Sequence, residues 1–203
     1  TDGSGKTTLV KNLTCWLGQH FTVKKNHMGR PPLTKATVFV HIIKTFYKKF
    51  FVTNKKATED ISCKPTSLVR AINYVVIAYD RFVLAKKISK ERDQGKIIIT
   101  DRYAGRSKGV MDSPRIQAGK NSKIINFLAL IERALYRKIP PADLVIDLNV
   151  DLSNALERNE KRVKKNKESE AEIGERFIEK QKTHYIAERI VSLDANQNKT
   201  KVL

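Results

Sequence analysis

The chain has 203 residues, 40% of them hydrophobic, and its 40 Lys and Arg against 21 Asp and Glu give a formal net charge of +19. This length suits one domain that buries its own core, and the composition excludes an intrinsically disordered chain. The longest apolar runs, such as Val75-Val76-Ile77-Ala78, are far too short to cross a bilayer, and Cys15 and Cys63 lack metal-ligand spacing, so free thiols in a reducing, cytoplasmic setting are expected.

The chain opens with Thr1-Asp2-Gly3-Ser4-Gly5-Lys6-Thr7-Thr8, all but the first glycine of the phosphate-binding pattern G-x-x-x-x-G-K-[ST]. Gly3 and Gly5 permit backbone angles that turn successive N–H groups inward around an anion. A helix starting near Lys6 adds the positive end of its dipole. Lys6 would charge-pair with the β and γ phosphates of a nucleotide, Gly3 to Thr8 would line them, and the Thr7 hydroxyl is placed to ligate Mg²⁺. The plain alternative is a Gly-Ser turn that happens to precede a lysine. The sequence starts inside this pattern, and its first glycine and the strand that would deliver it are expected to precede Thr1. The chain is therefore expected to be a piece of a longer protein, truncated at both ends, whose parallel sheet has its middle strand missing or supplied elsewhere.

Further along, Leu9, Leu13, Trp16 and Leu17 fall at helical spacing up to Gly18. Residues 21–28 read as a strand that ends in the loop Gly29-Arg30-Pro31-Pro32. Residues 34–51 read as a helix and 54–64 as a polar loop. Pro65 is expected to open the longest helix, with Leu68, Ile72, Val76, Tyr79 and Val83 as its buried stripe and Gly95 closing it. Lys96-Ile97-Ile98-Ile99-Thr100 is a β-branched run of the kind covered on both faces. A loop over 105–121, a helix over 124–137, a buried strand over 144–150 and a helix from Leu152 into a basic tract follow. The pattern closes with a helix over 175–189 and a strand over 190–193. Alternating strands and helices predict an α/β chain with a parallel sheet.

Asp101 stands at the carboxyl end of its strand, where parallel sheets present ligand-binding groups, and can hold Mg²⁺ opposite Thr7. An Asp capping a turn is the bland alternative. No [NT]-K-x-D signal for reading guanine is present.

The phosphate-binding loop together with Asp101-Arg102-Tyr103 resembles the thymidylate kinase family of P-loop nucleoside monophosphate kinases. Arg81, Pro141-Ala-Asp-Leu-Val-Ile-Asp-Leu and Leu193-Asp194-Ala195 support the resemblance. It implies a three-layer α/β/α P-loop NTPase fold in a single domain over 1–203, with a small helical lid near 158–174. It also implies that ATP and Mg²⁺ are used, that Asp2, Arg30, Arg81 and Arg102 hold the acceptor, that Arg158 and Arg162 close over the phosphates, and that Ala195 borders the adenine. Thymine-binding members stack an aromatic ring where this chain has Ile77. Some members carry a catalytic arginine where it has Gly3, so lid arginines would replace that one.

Transfer of the γ-phosphoryl of ATP to a nucleoside monophosphate is the reading favoured here. Such an acceptor is already anionic and needs arginines rather than a strong base. Two rivals remain: a kinase for a hydroxyl acceptor with Asp2 as base, and a non-catalytic nucleotide- or nucleic-acid-binding module that uses the basic charge. Aromatics are only 7% and do not interleave with the basic tract, so a stacking surface for single strands is not expected. The expected partners are nucleotide substrates, without membrane insertion or nucleic acid; a homodimer is left open.

Overall fold

The computed structural model describes residues 5–29, 31–35, 37–38, 67–108, 112–117, 122–161, 169–181 and 183–197. Asp2, Gly3, Ser4, Arg30, Arg162, Pro65 and most of the expected 34–51 helix lie outside them.

Helix α1 (Lys6–Leu17) follows Gly5, whose φ of 82° is left-handed, and ends at Gly18. It leads into strand β1 (Val23–His27). Helix α2 (Leu68–Asp93) starts at Ser67, whose side chain accepts from the Arg70 N–H at 3.4 Å. A capping serine thus marks its start. Gly95, at φ 81°, turns the chain into strand β2 (Ile97–Asp101). Helix α3 (Lys123–Arg137), likewise capped by a serine, Ser122, precedes strand β3 (Ala142–Asn149). Helices α4 (Leu152–Glu160) and α5 (Glu170–Gln181) lead to strand β4 (Ala187–Asp194).

Both strand pairs are parallel. β1 lies beside β2 with His27 opposite Asp101, and β3 lies beside β4 with Asn149 opposite Asp194. The α/β class and parallel pairing match expectation. The strands do not form one ladder, however: among the described residues they form two two-stranded sheets. Helix α1 packs on β1 and β2, and its Leu9 also reaches the apolar cluster of Leu148, Val150, Ala155, Ile173 and Ala195 on the other sheet. A larger cluster, including Met28, Leu84, Ile88, Tyr136 and Ile139, joins α2, α3 and the β1–β2 sheet.

Four local expectations need correction. The β2 strand is half-buried throughout rather than covered on both faces, and Leu144 of β3 is exposed. Trp16 is 62% exposed, and no residue of α1 is fully buried. On α2 the expected stripe holds only in part: Val76 is buried and Val83 half-buried, but Leu68, Ile72 and Tyr79 are exposed, and Ala71, Ala78, Asp80, Arg81, Leu84, Ala85 and Ile88 are buried as well. Finally, the helix expected over 175–189 spans Glu170–Gln181, and residues 187–189 belong to β4.

Candidate functional site

Helix α1, which starts after Gly5, packs on both β1 and β2. β1 follows it after residues 18–22, and the carboxyl ends of β1 and β2 carry His27 and Asp101. The first turn of a helix leaves its N–H groups without intrahelical acceptors, and Gly5 offers no side-chain cap. Gly5 stands in the left-handed region directly before this helix start, and helix N-termini favour anions.

Asp101 is tied to β1 twice. Its carbonyl accepts from the Met28 N–H at 3.0 Å, and its Oδ2 lies 3.2 Å from His27 Nδ1. The Asp101 side chain is 23% exposed, so one face stays open to solvent. Thr7 is exposed on the first turn of α1. Among the described residues no three His, Cys, Asp or Glu side chains gather into a metal cage. Mg²⁺ needs none, because it keeps waters and phosphate oxygens around one or two protein oxygens. The hydroxyl of Thr7 and the carboxylate of Asp101 are hard oxygen donors of the right kind.

Behind Asp101 lies a charged cluster that runs from buried to open. Arg81, on α2, is 3% exposed and donates four hydrogen bonds: Nε to the Met28 carbonyl at 3.1 Å, Nη1 to the Tyr136 hydroxyl at 2.6 Å, and Nη2 to the Gly29 carbonyl at 3.3 Å and to Asp112 Oδ1 at 2.5 Å. The other oxygen of Asp112 lies 3.8 Å from Arg102 Nη1. Arg102 and Asp112 are the two non-glycine residues with positive φ among those described, at 61° and 66°. Such backbone costs about 1–3 kcal/mol at each residue and persists only where the surroundings fix it. Gly29 lets Arg102 come close: a Cβ there would sit 2.7 Å from Arg102 Cδ and 3.2 Å from His27 Nε2.

Buried polar anchors hold this arrangement. Glu132 of α3 accepts from the Arg115 and Ile116 N–H groups at 3.0 and 2.9 Å, which pins the segment after Asp112. Burial raises the Glu132 carboxyl above its ordinary value, although those two N–H groups pull the other way. Asp80 accepts from the Thr34 N–H and the Thr37 hydroxyl at 3.1 and 2.8 Å. Tyr103 donates to the Pro140 carbonyl at 2.7 Å, and burial pushes its hydroxyl up to about 12.

At the other sheet, Ala195 is buried and its N–H donates to the Asn149 carbonyl at 2.6 Å. Asn196 Oδ1 accepts from the Asp151 N–H at 2.9 Å and from Asn154 at 3.0 Å, so β4 is tied to the start of α4. Lys180 of α5 reaches the Leu148 carbonyl at 2.5 Å, Asn149 Oδ1 at 2.8 Å and Asp147 at 3.0 Å.

The structure thus has Gly5, Lys6, Thr7 and Thr8 at the start of α1, which packs on β1 and β2, has Asp101 at the carboxyl end of β2, and sets Arg102 beside Asp112; Arg81, expected to hold the acceptor, is instead buried and engaged by Met28, Gly29, Tyr136 and Asp112. Arg158 lies on α4 and is half-buried. Asp2, Gly3, Ser4, Arg30 and Arg162 fall outside the described residues. Sequence reasoning missed Asp80, Asp112, Glu132 and Tyr136. The one available signal was the adjacent Asp80-Arg81 pair inside an apolar helix, which demands buried partners.

No family model matches the chain. Among curated proteins it is similar to the "Uncharacterized ATP-binding protein YghR" of Escherichia coli strain K12, with 23% identity over an alignment of 209 residues that covers all of this chain and 81% of the relative. The protein of the same name from Escherichia coli O6:H1 matches with the same identity and coverage.

Proposed function

We propose that the protein is a thymidylate kinase-like P-loop enzyme that transfers the γ-phosphoryl of ATP to a nucleoside monophosphate, dTMP or a related acceptor. What carries this reading is a glycine-led helix start, Gly5-Lys6-Thr7-Thr8, on a helix that packs against a parallel strand pair with Asp101 at its carboxyl end and Arg102 next to it. The Escherichia coli relative, described as ATP-binding, supports the choice of donor.

In this mechanism Gly3, Ser4, Gly5 and the first turn of α1 cradle the donor phosphates, and Lys6 neutralises the β and γ oxygens. Mg²⁺, when bound, offsets phosphate charge, and Thr7 and Asp101 would hold it. Asp2 meets the acceptor sugar, while Arg102 and Arg30 hold its phosphate, with Arg81 supporting them from below. An acceptor phosphate oxygen bonds to the γ-phosphorus as the bond from that phosphorus to the β–γ bridging oxygen breaks, and ADP leaves. Both reactants are already anionic, so alignment and neutralisation carry the rate. Arg158 and Arg162 supply the last charges as the lid closes, and Ala195 borders the adenine.

The test is an acceptor screen with ATP and Mg²⁺, in which each nucleoside monophosphate is compared with its nucleoside. Turnover with a monophosphate and none with the nucleoside supports the reading. The reverse pattern assigns a hydroxyl-acceptor kinase, with Asp2 as base.

A further inference from the structure

We propose that Asp112 is a positioning residue of the acceptor site: its carboxylate, gripped by Arg81 on one oxygen, uses the other to hold the Arg102 guanidinium toward a ligand's phosphate. This rests on the reading that Arg102 meets the acceptor.

Three observations support it. The cluster is graded in exposure, with side chains 3% exposed at Arg81, 9% at Asp112 and 34% at Arg102. The buried pair forms a foundation, and only its outermost member reaches solvent. The two oxygens of Asp112 also do different things: Oδ1 takes a 2.5 Å hydrogen bond from Arg81, while Oδ2 stands 3.8 Å from Arg102. That second distance exceeds a hydrogen bond and leaves a charge–charge attraction. Arg102 can therefore turn to a phosphate oxygen without breaking a bond to Asp112.

Third, Asp112 does not depend on Arg102 for its place. Ser113 beside it is fully buried, Ile116 is nearly so, and Glu132 grips the Arg115 and Ile116 N–H groups. One carboxylate between two guanidinium groups leaves a net charge of +1. The cluster thus still attracts an anion, and the carboxylate screens the repulsion that would drive Arg102 away from Arg81.

Asp112→Asn keeps the shape and an oxygen for Arg81 while removing the charge. Calorimetry with inorganic phosphate and with dTMP should show binding about tenfold weaker, as expected for a disturbed charge-assisted contact. ATP affinity should stay within about twofold. Arg102→Ala should weaken phosphate and dTMP binding similarly, and D112N/R102A should be no weaker than Arg102→Ala alone, because both changes act on one contact. Should D112N melt too early to measure, Asp112→Glu, which keeps the charge but moves it by a methylene, should show the same loss and the same non-additivity. Independent, multiplying effects, unaltered phosphate affinity in the Asp112 variants, or no Arg102-dependent phosphate binding in the wild type would each overturn the proposal. If dTMP binds through Arg102 but is never phosphorylated, the kinase reading falls and the positioning role stands.

Discussion

The hydroxyl of Tyr136 accepts a 2.6 Å hydrogen bond from Arg81 Nη1, and this one contact ties α2 to α3 where both side chains are buried. A charged donor cannot lose a buried acceptor without penalty. Tyr136→Phe should therefore reduce stability by about 1.5–3 kcal/mol, the range for hydrogen bonds to charged groups. Urea unfolding of the two proteins measures it. A loss below about 0.5 kcal/mol would mean that Arg81 finds another acceptor at once.

The two ends of the candidate site should separate in binding measurements. Lys6 opens α1, where the proposed reading seats the donor phosphates, so Lys6→Ala should damage ATP binding and turnover together. Arg102 stands at the end of β2 beside Asp112, and Arg102→Ala should abolish turnover while leaving ATP affinity nearly intact. Calorimetry with ATP, paired with a coupled turnover assay, distinguishes the two patterns. Equal loss of both properties in Arg102→Ala would remove its acceptor role.

Gly29 gives a steric handle on the same arginine. In Gly29→Ala the new methyl group would lie 2.7 Å from Arg102 Cδ, closer than such atoms approach, and 3.2 Å from His27 Nε2. The middle of the arginine chain must move, and the left-handed backbone at Arg102 resists that movement. The variant should lose about 1–3 kcal/mol of stability, as overpacked sites do. KM for the acceptor should rise with KM for ATP little changed, which steady-state kinetics on both substrates would show. A normal acceptor KM would place Arg102 away from the acceptor.

Much of this framework was legible because it is local. The left-handed Gly5, the apolar spacing of α1, the β-branched run of β2 and the glycine after α2 each express their structure within a few residues. The face that α2 buries was legible only in part. Val76 is buried as its spacing implies, but Leu68, Ile72 and Tyr79 are exposed, and the helix buries Asp80, Arg81 and small alanines alongside Leu84 and Ile88. Those polar residues are satisfied by partners 31 to 55 positions away along the chain, at Asp112, Met28, Gly29 and Tyr136, and by Thr37. Spacing within one helix carries no trace of such pairs. Asp112 was hidden for the same reason, since it reads as an ordinary loop aspartate until Arg81 is placed against it.

Glu132 makes the site's scaffold sensitive to pH. Burial raises its carboxyl above the ordinary 4.5, and the Arg115 and Ile116 N–H groups offset that only in part. The folded protein then binds the Glu132 proton more tightly than the unfolded chain does. Its contribution to stability is fully present below about pH 4.5 and declines as pH rises through the raised folded value. Glu132→Gln has no proton to release there and lacks this slope, though its amide nitrogen cannot accept from one of the two N–H groups. Urea midpoints of both proteins from about pH 4 to 7 should therefore show the wild type losing ground relative to the variant as pH rises. A difference that stays flat, or one that grows in favour of the wild type, would mean that the two N–H groups outweigh burial and that Glu132 is held as a carboxylate throughout.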